Sequence, residues 1–251
     1  GGAGAAQRAG PEQMTARGFR QAAAVMVCAI LAAALPEGGL EASRDVRTVK
    51  GVEFQGLKYL SRWEILALAA YRVEGDSLVI DIGSLREGLD KMPMVRRYAL
   101  EEKDGRLSVT VEENVPAHVV LLDGGGPLMP LELDGGMRVL STGTIHAVGR
   151  PLILAGAGDM AGGAPSARLR GIISTLSRLE AEGLPVMREI EEVDMTSHPQ
   201  IRIRLKGRPT VFTLDIGGAS FRTLSVLAGY LDAARYYPAK AKVRPEAAVL
   251  K

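Results

Sequence analysis

The sequence predicts an α+β chain: an N-terminal membrane helix, a β-α-α-β-β unit, then a mixed strand-rich unit with two helices. Three observations predict it. An apolar run from Ala22 to Leu35 follows a group of arginines, a serine-capped helix signal lies among strand signals near residue 60, and period-two stretches separated by Asp-Gly and Gly-Gly turns fill the rest. The 251 residues are 47% hydrophobic, enough to fill real cores and to set disorder aside for most of the chain. Opposing charges nearly cancel, 31 basic against 29 acidic for a net +2, so no strong field exists to hold nucleic acid or steer an acidic substrate.

Taking the elements in order, the first is the run from Gln21 to Pro36, preceded by Arg8, Arg17 and Arg20 and followed by Glu37 and Glu41. A helix rising 1.5 Å per residue spans about 21 to 24 Å here, short of a hydrocarbon core of roughly 30 Å unless flanking side chains snorkel or the bilayer thins. Three readings fit: a membrane anchor, a signal peptide cleaved near Ala32 to Ala34, or a buried core helix. In the first two, the arginines on the N-terminal side orient the remaining chain outward. The chain starts at Gly1 and not Met, so a missing or processed N-terminal piece is expected. Cys28, alone of its kind, lies within the run; with no second cysteine the chain builds no internal disulfide and no cysteine metal site.

Val46 to Phe54, ending at Gly56, reads as a first strand. Ser61 and Glu64 have the spacing of a capping box, which predicts a helix from Arg62 to about Tyr71. Two apolar faces result, one of Trp63, Leu66, Ala67 and Ala70, the other of Ile65, Leu68 and Ala69. The second face is expected to pack on the next helix, with partner docking at Trp63 the rival use of the surplus. Gly75 closes the turn, and Leu85, Leu89 and Met92 predict a second helix between a cap at Asp81 or Ser84 and a stop at Pro93. Val95 to Glu102 and Arg106 to Glu113 form a hairpin about Asp104-Gly105, a dipeptide suited to a type I′ turn.

Strands follow over Val119 to Leu122 and Leu128 to Leu133, joined through Asp123-Gly-Gly-Gly126 and leading to Asp134-Gly-Gly136. Neither these glycines nor Gly156 to Gly163 stand directly between a strand and a helix with a following Lys-Ser/Thr, so they read as turns and not as phosphate loops. Leu169, Ile172, Ile173, Leu176 and Leu179 mark an amphipathic helix. Ile201, Ile203 and Leu205 alternate with Arg202, Arg204 and Lys206, a strand with one basic, solvated face; Phe212, Leu214 and Ile216 mark its neighbour. A last helix over Ser220 to Tyr236 and a terminal strand over Ala247 to Leu250 complete the pattern.

The stretches VKGVEFQGLKYLSRWEIL, GDSLVIDI and LDKMPMVRRYALEEKDGRLSVTVEENVPAHVV resemble a POTRA domain of the FtsQ/DivIB cell-division family. Gly56, Ser61 and Ile65 match its glycine-ended strand and serine-capped helix; Pro93 and Val95 match a Pro-x-Val step; Glu112 or Glu113 with Pro116 and Ala117 match the close of its third strand. Asn114 stands where the family often has arginine. Further on, Asp123-Gly124, Pro151 to Gly156, Lys242-Val-Arg244 and Ala247-Ala-Val249 are similar, more loosely, to that family's β domain.

The resemblance implies a cytoplasmic tail at residues 1–20, an anchor at 21–36, a linker at 37–45, a POTRA domain at 46–118 and a β domain at 119–251. It implies a non-catalytic septal scaffold in the inner membrane, N-terminus inside, whose partners are coiled-coil division proteins of the FtsB/FtsL type. Partner-binding residues are then expected at Arg244, Ala247, Ala248, Val249 and Leu250, an edge strand that a partner's strand would extend, with Trp63 as a second candidate. The alternatives are a POTRA module of outer-membrane protein assembly, which would usually carry several repeats and a barrel, and an exported hydrolase.

No cofactor, small-molecule substrate, metal or catalytic residue is expected. His118, His146 and His198 are scattered and read as ordinary surface or turn histidines. Glu189, Glu191, Glu192 and Asp194 read as a solvated strand edge and not as paired catalytic carboxylates.

Overall fold

The computed structural model describes residues 45–197 and 199–250. The tail at 1–20, the anchor at 21–36 with Cys28, most of the linker, and His198 lie outside the described residues. Within them the chain is mixed α+β, with four α-helices and strand-rich sheets. Its buried apolar side chains form two clusters, one drawn from Val49 to Val111 together with Leu140, the other from Val120 to Val243.

The first expected strand is two strands, β1 (Val46–Val49) and β2 (Val52–Gln55). They join different sheets: β1 pairs with β4 (Ser77–Asp81), while β2 runs parallel to β6 (Arg106–Glu113), so the chain steps across at Lys50-Gly51. The capping box forms as read, with the Glu64 N–H donating to Ser61 Oγ (3.2 Å) and the Ser61 N–H donating to Glu64 Oε2 (2.7 Å). Helix α1 (Arg62–Leu66) stops well before Tyr71, because Tyr71 opens β3 (Tyr71–Glu74), which folds back on β4 about Gly75. That hairpin adds β1-β4-β3 as a second small sheet to the expected β-α-α-β-β unit.

Asp81 caps α2 (Ile82–Lys91) by accepting the N–H groups of Gly83 (2.9 Å) and Ser84 (3.2 Å). The Leu68 face of α1 and the turn after it meets α2 closely: a Cβ built on Gly88 would lie 2.6 Å from Leu68 Cβ. Trp63 points away and is 72% exposed, the outward one of the two apolar faces. The hairpin of β5 (Val95–Lys103) and β6 turns at Asp104 and Gly105, whose φ of 54° and 71° are those of a type I′ turn. At the end of β6, the Glu113 carboxylate accepts three backbone N–H groups, from Lys58 (2.8 Å), Tyr59 (2.8 Å) and Leu60 (2.9 Å). One side chain thereby fixes the loop that delivers α1, while the neighbouring Glu112 turns out to Arg96.

The remaining chain builds one nine-stranded sheet. Its strands are β7 (His118–Asp123), β8 (Met129–Leu133), β9 (Val139–Thr142), β10 (Leu152–Gly156), β13 (Ile190–Asp194), β14 (Ile201–Leu205), β15 (Val211–Leu214), β16 (Lys240–Val243) and β17 (Ala248–Leu250). A two-strand ribbon, β11 (Met160–Ala161) with β12 (Ala164–Pro165), precedes α3 (Ala167–Ala181). The spatial order is β17-β16-β15-β14-β13-β10-β7-β8-β9. Parallel neighbours need crossovers, and α3 carries β10 to β13 as α4 (Gly218–Ala234) carries β15 to β16. Leu169, Ile172, Ile173 and Leu179 from α3, with Phe221, Leu224 and Leu231 from α4, cover the sheet face that carries Ile203, Phe212 and Val243. The opposite face shows Arg202, Arg204, Lys240 and Lys242 to solvent.

Two sequence readings need correction. The carboxylates of β13 are not on an edge: β13 lies between β10 and β14, and Glu192 and Asp194 pair across the ladder with Arg204 (3.5 Å) and Arg202 (2.5 Å). His146 is no ordinary surface histidine either, since its side chain is 8% exposed and lies between two glutamates.

Candidate functional site

The candidate site is the β17 end of the large sheet. It begins with Pro245, whose missing N–H and fixed φ suit a turn, and the Arg244 N–H closes that turn on the Ala247 carbonyl at 2.8 Å. Thr223 Oγ1 of α4 donates to the Pro245 carbonyl at 2.5 Å and ties the turn to the helix behind it. From there β17 runs back along β16 with Val243 opposite Ala248, Lys242 opposite Val249 and Ala241 opposite Leu250.

Alternation along an antiparallel ladder decides which backbone groups are free. With Arg244 and Ala247 as a hydrogen-bonded pair, the next bonded pair is Lys242 with Val249. The N–H and C=O groups of Ala248 and Leu250 therefore face away from β16, toward a side on which no described strand pairs. Their side chains share a sheet face with the buried Ala241 and Val243 beneath α4, whereas Val249, 50% exposed, lies on the basic face beside Lys242. A groove of about 370 Å³ runs there, lined by Thr213, Lys240, Ala241, Lys242 and Val249. Behind the sheet, α4 presents Val226 (76% exposed) and Tyr230 (66%) outward, and Tyr236 and Tyr237 follow its left-handed cap at Arg235.

The other end of the same sheet packs against the first unit. Leu140 of β9, set where the β8–β9 register shifts, is 4% exposed and belongs to the first unit's core. Val139 to Thr142 line clefts shared with Lys91, Met92 and Pro93 at the end of α2. Leu140 thus packs β9 against the first unit, whereas no described strand lies beyond β17, which leaves an edge of the kind a partner strand can extend.

Arg244 and Ala247 to Leu250 thus stand together in one hairpin, all exposed to solvent. Trp63 stands apart from them, on α1 in the other unit. Among the described residues no helix is long and apolar enough to cross a membrane, and no grouping of His, Cys, Asp and Glu is placed to hold a metal ion.

Sequence reasoning missed a second polar centre, at the junction of the units. Glu132 of β8, fully buried, accepts the backbone N–H groups of His146 (2.8 Å) and Ala147 (2.7 Å) on Oε1 and faces His146 Nδ1 at 2.6 Å with Oε2. His146 Nε2 lies 2.8 Å from Glu64 Oε1 on α1. Burial pushes the His146 pKa down, but the hydrogen bonds to Glu132 and Glu64 outweigh it and the net shift is upward from 6.5. For Glu64, burial is likewise outweighed, by hydrogen bonds from Ser61 and His146, and its pKa falls below 4.5.

Neither the models of known protein families nor the curated proteins give a match to this chain.

Proposed function

We propose that this chain is a division-site scaffold of the FtsQ/DivIB kind: residues 21–36 anchor it, residues 46–118 form a POTRA domain, and residues 119–251 form a β domain whose last strand receives a partner. The observation that carries the reading is the contrast between the two ends of the nine-stranded sheet, one packed against the first unit through Leu140 and one with no described strand beyond it. A partner's extended segment would run beside β17, bond to the outward groups of Ala248 and Leu250, and seat alternate side chains in the groove beside Val249. Coiled-coil division proteins of the FtsB/FtsL type are the partners that the resemblance implies.

Proline substitutions test the reading where it is most specific. Ala248→Pro and Leu250→Pro each remove an outward N–H without removing a bond to β16, and edge strands tolerate proline. Loss of one such bond, about 1 to 1.5 kcal/mol, is about a tenfold loss of partner recovered with the full chain from membranes. Glu191→Ala, on an interior strand, is expected to leave recovery unchanged. Equal recovery with both prolines would remove β17 as the docking strand. The anchor is tested separately: a mature chain starting near Leu35 in place of an uncleaved, membrane-retained one would defeat it.

A further inference from the structure

The centre formed by Glu132, His146 and Glu64 is a three-residue bridge between the two cores. Glu132 belongs to the sheet of the second unit, His146 to the segment after β9, and Glu64 to α1 of the first unit. Carboxylate oxygens face both ring nitrogens, at 2.6 Å and 2.8 Å. A neutral imidazole carries a single N–H, so both contacts are hydrogen bonds only when the ring holds both protons. Charge-assisted bonds of this kind are the strong ones, and the one to Glu132 is shielded from water, with the histidine side chain 8% and Glu132 0% exposed.

Loss of one proton acts unequally on the two sides. Glu132 is fully buried and occupied by two backbone N–H groups, so the Nδ1 proton stays. Glu64 is 37% exposed and has Ser61 as an alternative partner for its carboxylate, so the Nε2 proton leaves and a lone pair then faces a carboxylate. The remaining charged group in the cleft is Lys91 of α2, which is ion-paired with Glu87. Other described contacts at this junction are apolar packing and the connecting chain. Leu140 inserts into the first core, and the connecting chain is held at Asn114, whose N–H donates to the Met94 carbonyl (2.7 Å), and at Ala117, whose N–H donates to the Leu133 carbonyl (2.8 Å). Between these points lie Val115 and Pro116, with Val115 57% exposed.

We infer that His146 is a protonation-dependent clasp that sets the orientation of the two units, rigid with both ring nitrogens protonated and released about Val115-Pro116 when Nε2 loses its proton. The inference stands independently of any partner at β17. In the released state Leu140 and the connecting chain keep the units adjacent, and their mutual angle becomes variable.

The test is a distance measurement between spin labels on the full chain, with Cys28→Ser to clear the native thiol and labels at Glu102→Cys in β5 and Glu191→Cys in β13. At about pH 5 a single narrow distance peak is expected, and at about pH 9 its loss to a broad distribution. Glu64→Gln is the decisive variant. Glutamine preserves the capping box, and its amide donates to the unprotonated Nε2, so the peak is expected to stay narrow at about pH 9. A wild-type distribution that is the same at both pH values would overturn the inference, as would a Glu64→Gln chain that broadens like the wild type. His146→Gln, should it fold, is expected to remove the dependence on pH; retention of it would point to another group and defeat the assignment.

Discussion

Removing the Glu132 carboxylate gives the sharpest separation between a structural acid and an idle one. Glu132→Ala deletes the acceptor for two backbone N–H groups, the part-buried one of His146 and the buried one of Ala147, and for a ring N–H. Leaving a buried donor unsatisfied costs about 1 to 3 kcal/mol, so the Ala147 group alone implies about 1 to 3 kcal/mol, and the part-buried His146 group adds to it before any cavity is counted. Glu132→Gln keeps an oxygen for both N–H groups, and its amide donates to Nδ1 once the ring proton moves to Nε2, still facing Glu64. Its expected cost is about 1 kcal/mol or less. The assay is hydrogen exchange at the His146 and Ala147 amides of the full chain, with the urea midpoint as a global check. Since about 1.4 kcal/mol is a factor of ten, protection of both amides is expected to fall by at least about tenfold in the alanine variant and by less than that in the glutamine variant. Equal and small effects in the two variants would refute the reasoning, because they would mean that these N–H groups do not depend on the carboxylate.

Two further predictions follow from packing and from titration. Gly88→Ala and Gly171→Ala are the same change within two helices, each gaining up to about 1 kcal/mol of helix propensity, but at Gly88 the new Cβ meets Leu68 Cβ at 2.6 Å whereas at Gly171 nothing lies within 4 Å. Overpacking costs about 1 to 3 kcal/mol, so Gly171→Ala is expected to slow exchange at Ile172 while Gly88→Ala hastens exchange at Val109; stabilisation by both would refute the contact. The pH dependence has two limbs with opposite signs. His146, raised in the folded chain, contributes stability that is fully present below its ordinary 6.5 and lost as pH rises through its higher native value; Glu64, lowered, contributes stability present above 4.5 and lost as pH falls through its lower native value. Stability from this centre therefore peaks between about pH 4.5 and 6.5, and urea midpoints measured as pH rises above 6.5 are expected to lose their alkaline decline in His146→Gln. An unchanged alkaline limb would contradict the assignment.

Much of the fold was legible because its determinants are close in sequence. The capping box needs only Ser61 and Glu64, the β5–β6 turn only Asp104 and Gly105, and the stripe of α3 one run of fifteen helical residues. The β3–β4 hairpin was hidden because Ala69 and Ala70 extend the apolar pattern of α1, and because Tyr71 to Glu74 is largely solvated and carries little burial signal. The terminal edge was readable as a strand, but its position at the end of the sheet depends on which strands lie beside β16, a matter of topology. Glu132 was out of reach for a different reason. It alternates with Leu131 and Leu133, so the period of two assigns it to a solvated face, and the segment that covers that face lies fourteen residues away at His146. Its other tie, from His146 to Glu64, spans eighty-two residues, and no local pattern marks either partner.

The unequal ends of the nine-stranded sheet also limit how copies of the chain could join. A ribbon of molecules joined through this sheet would need two receptive ends on each one, and here the β9 end packs against the chain's own first unit through Leu140. Two copies meeting through β17 would consume that end of the large sheet in both, so growth through β17 alone halts at a pair. A docked strand from another protein halts it sooner, at a single molecule, so whatever occupies β17 also acts as a chain terminator.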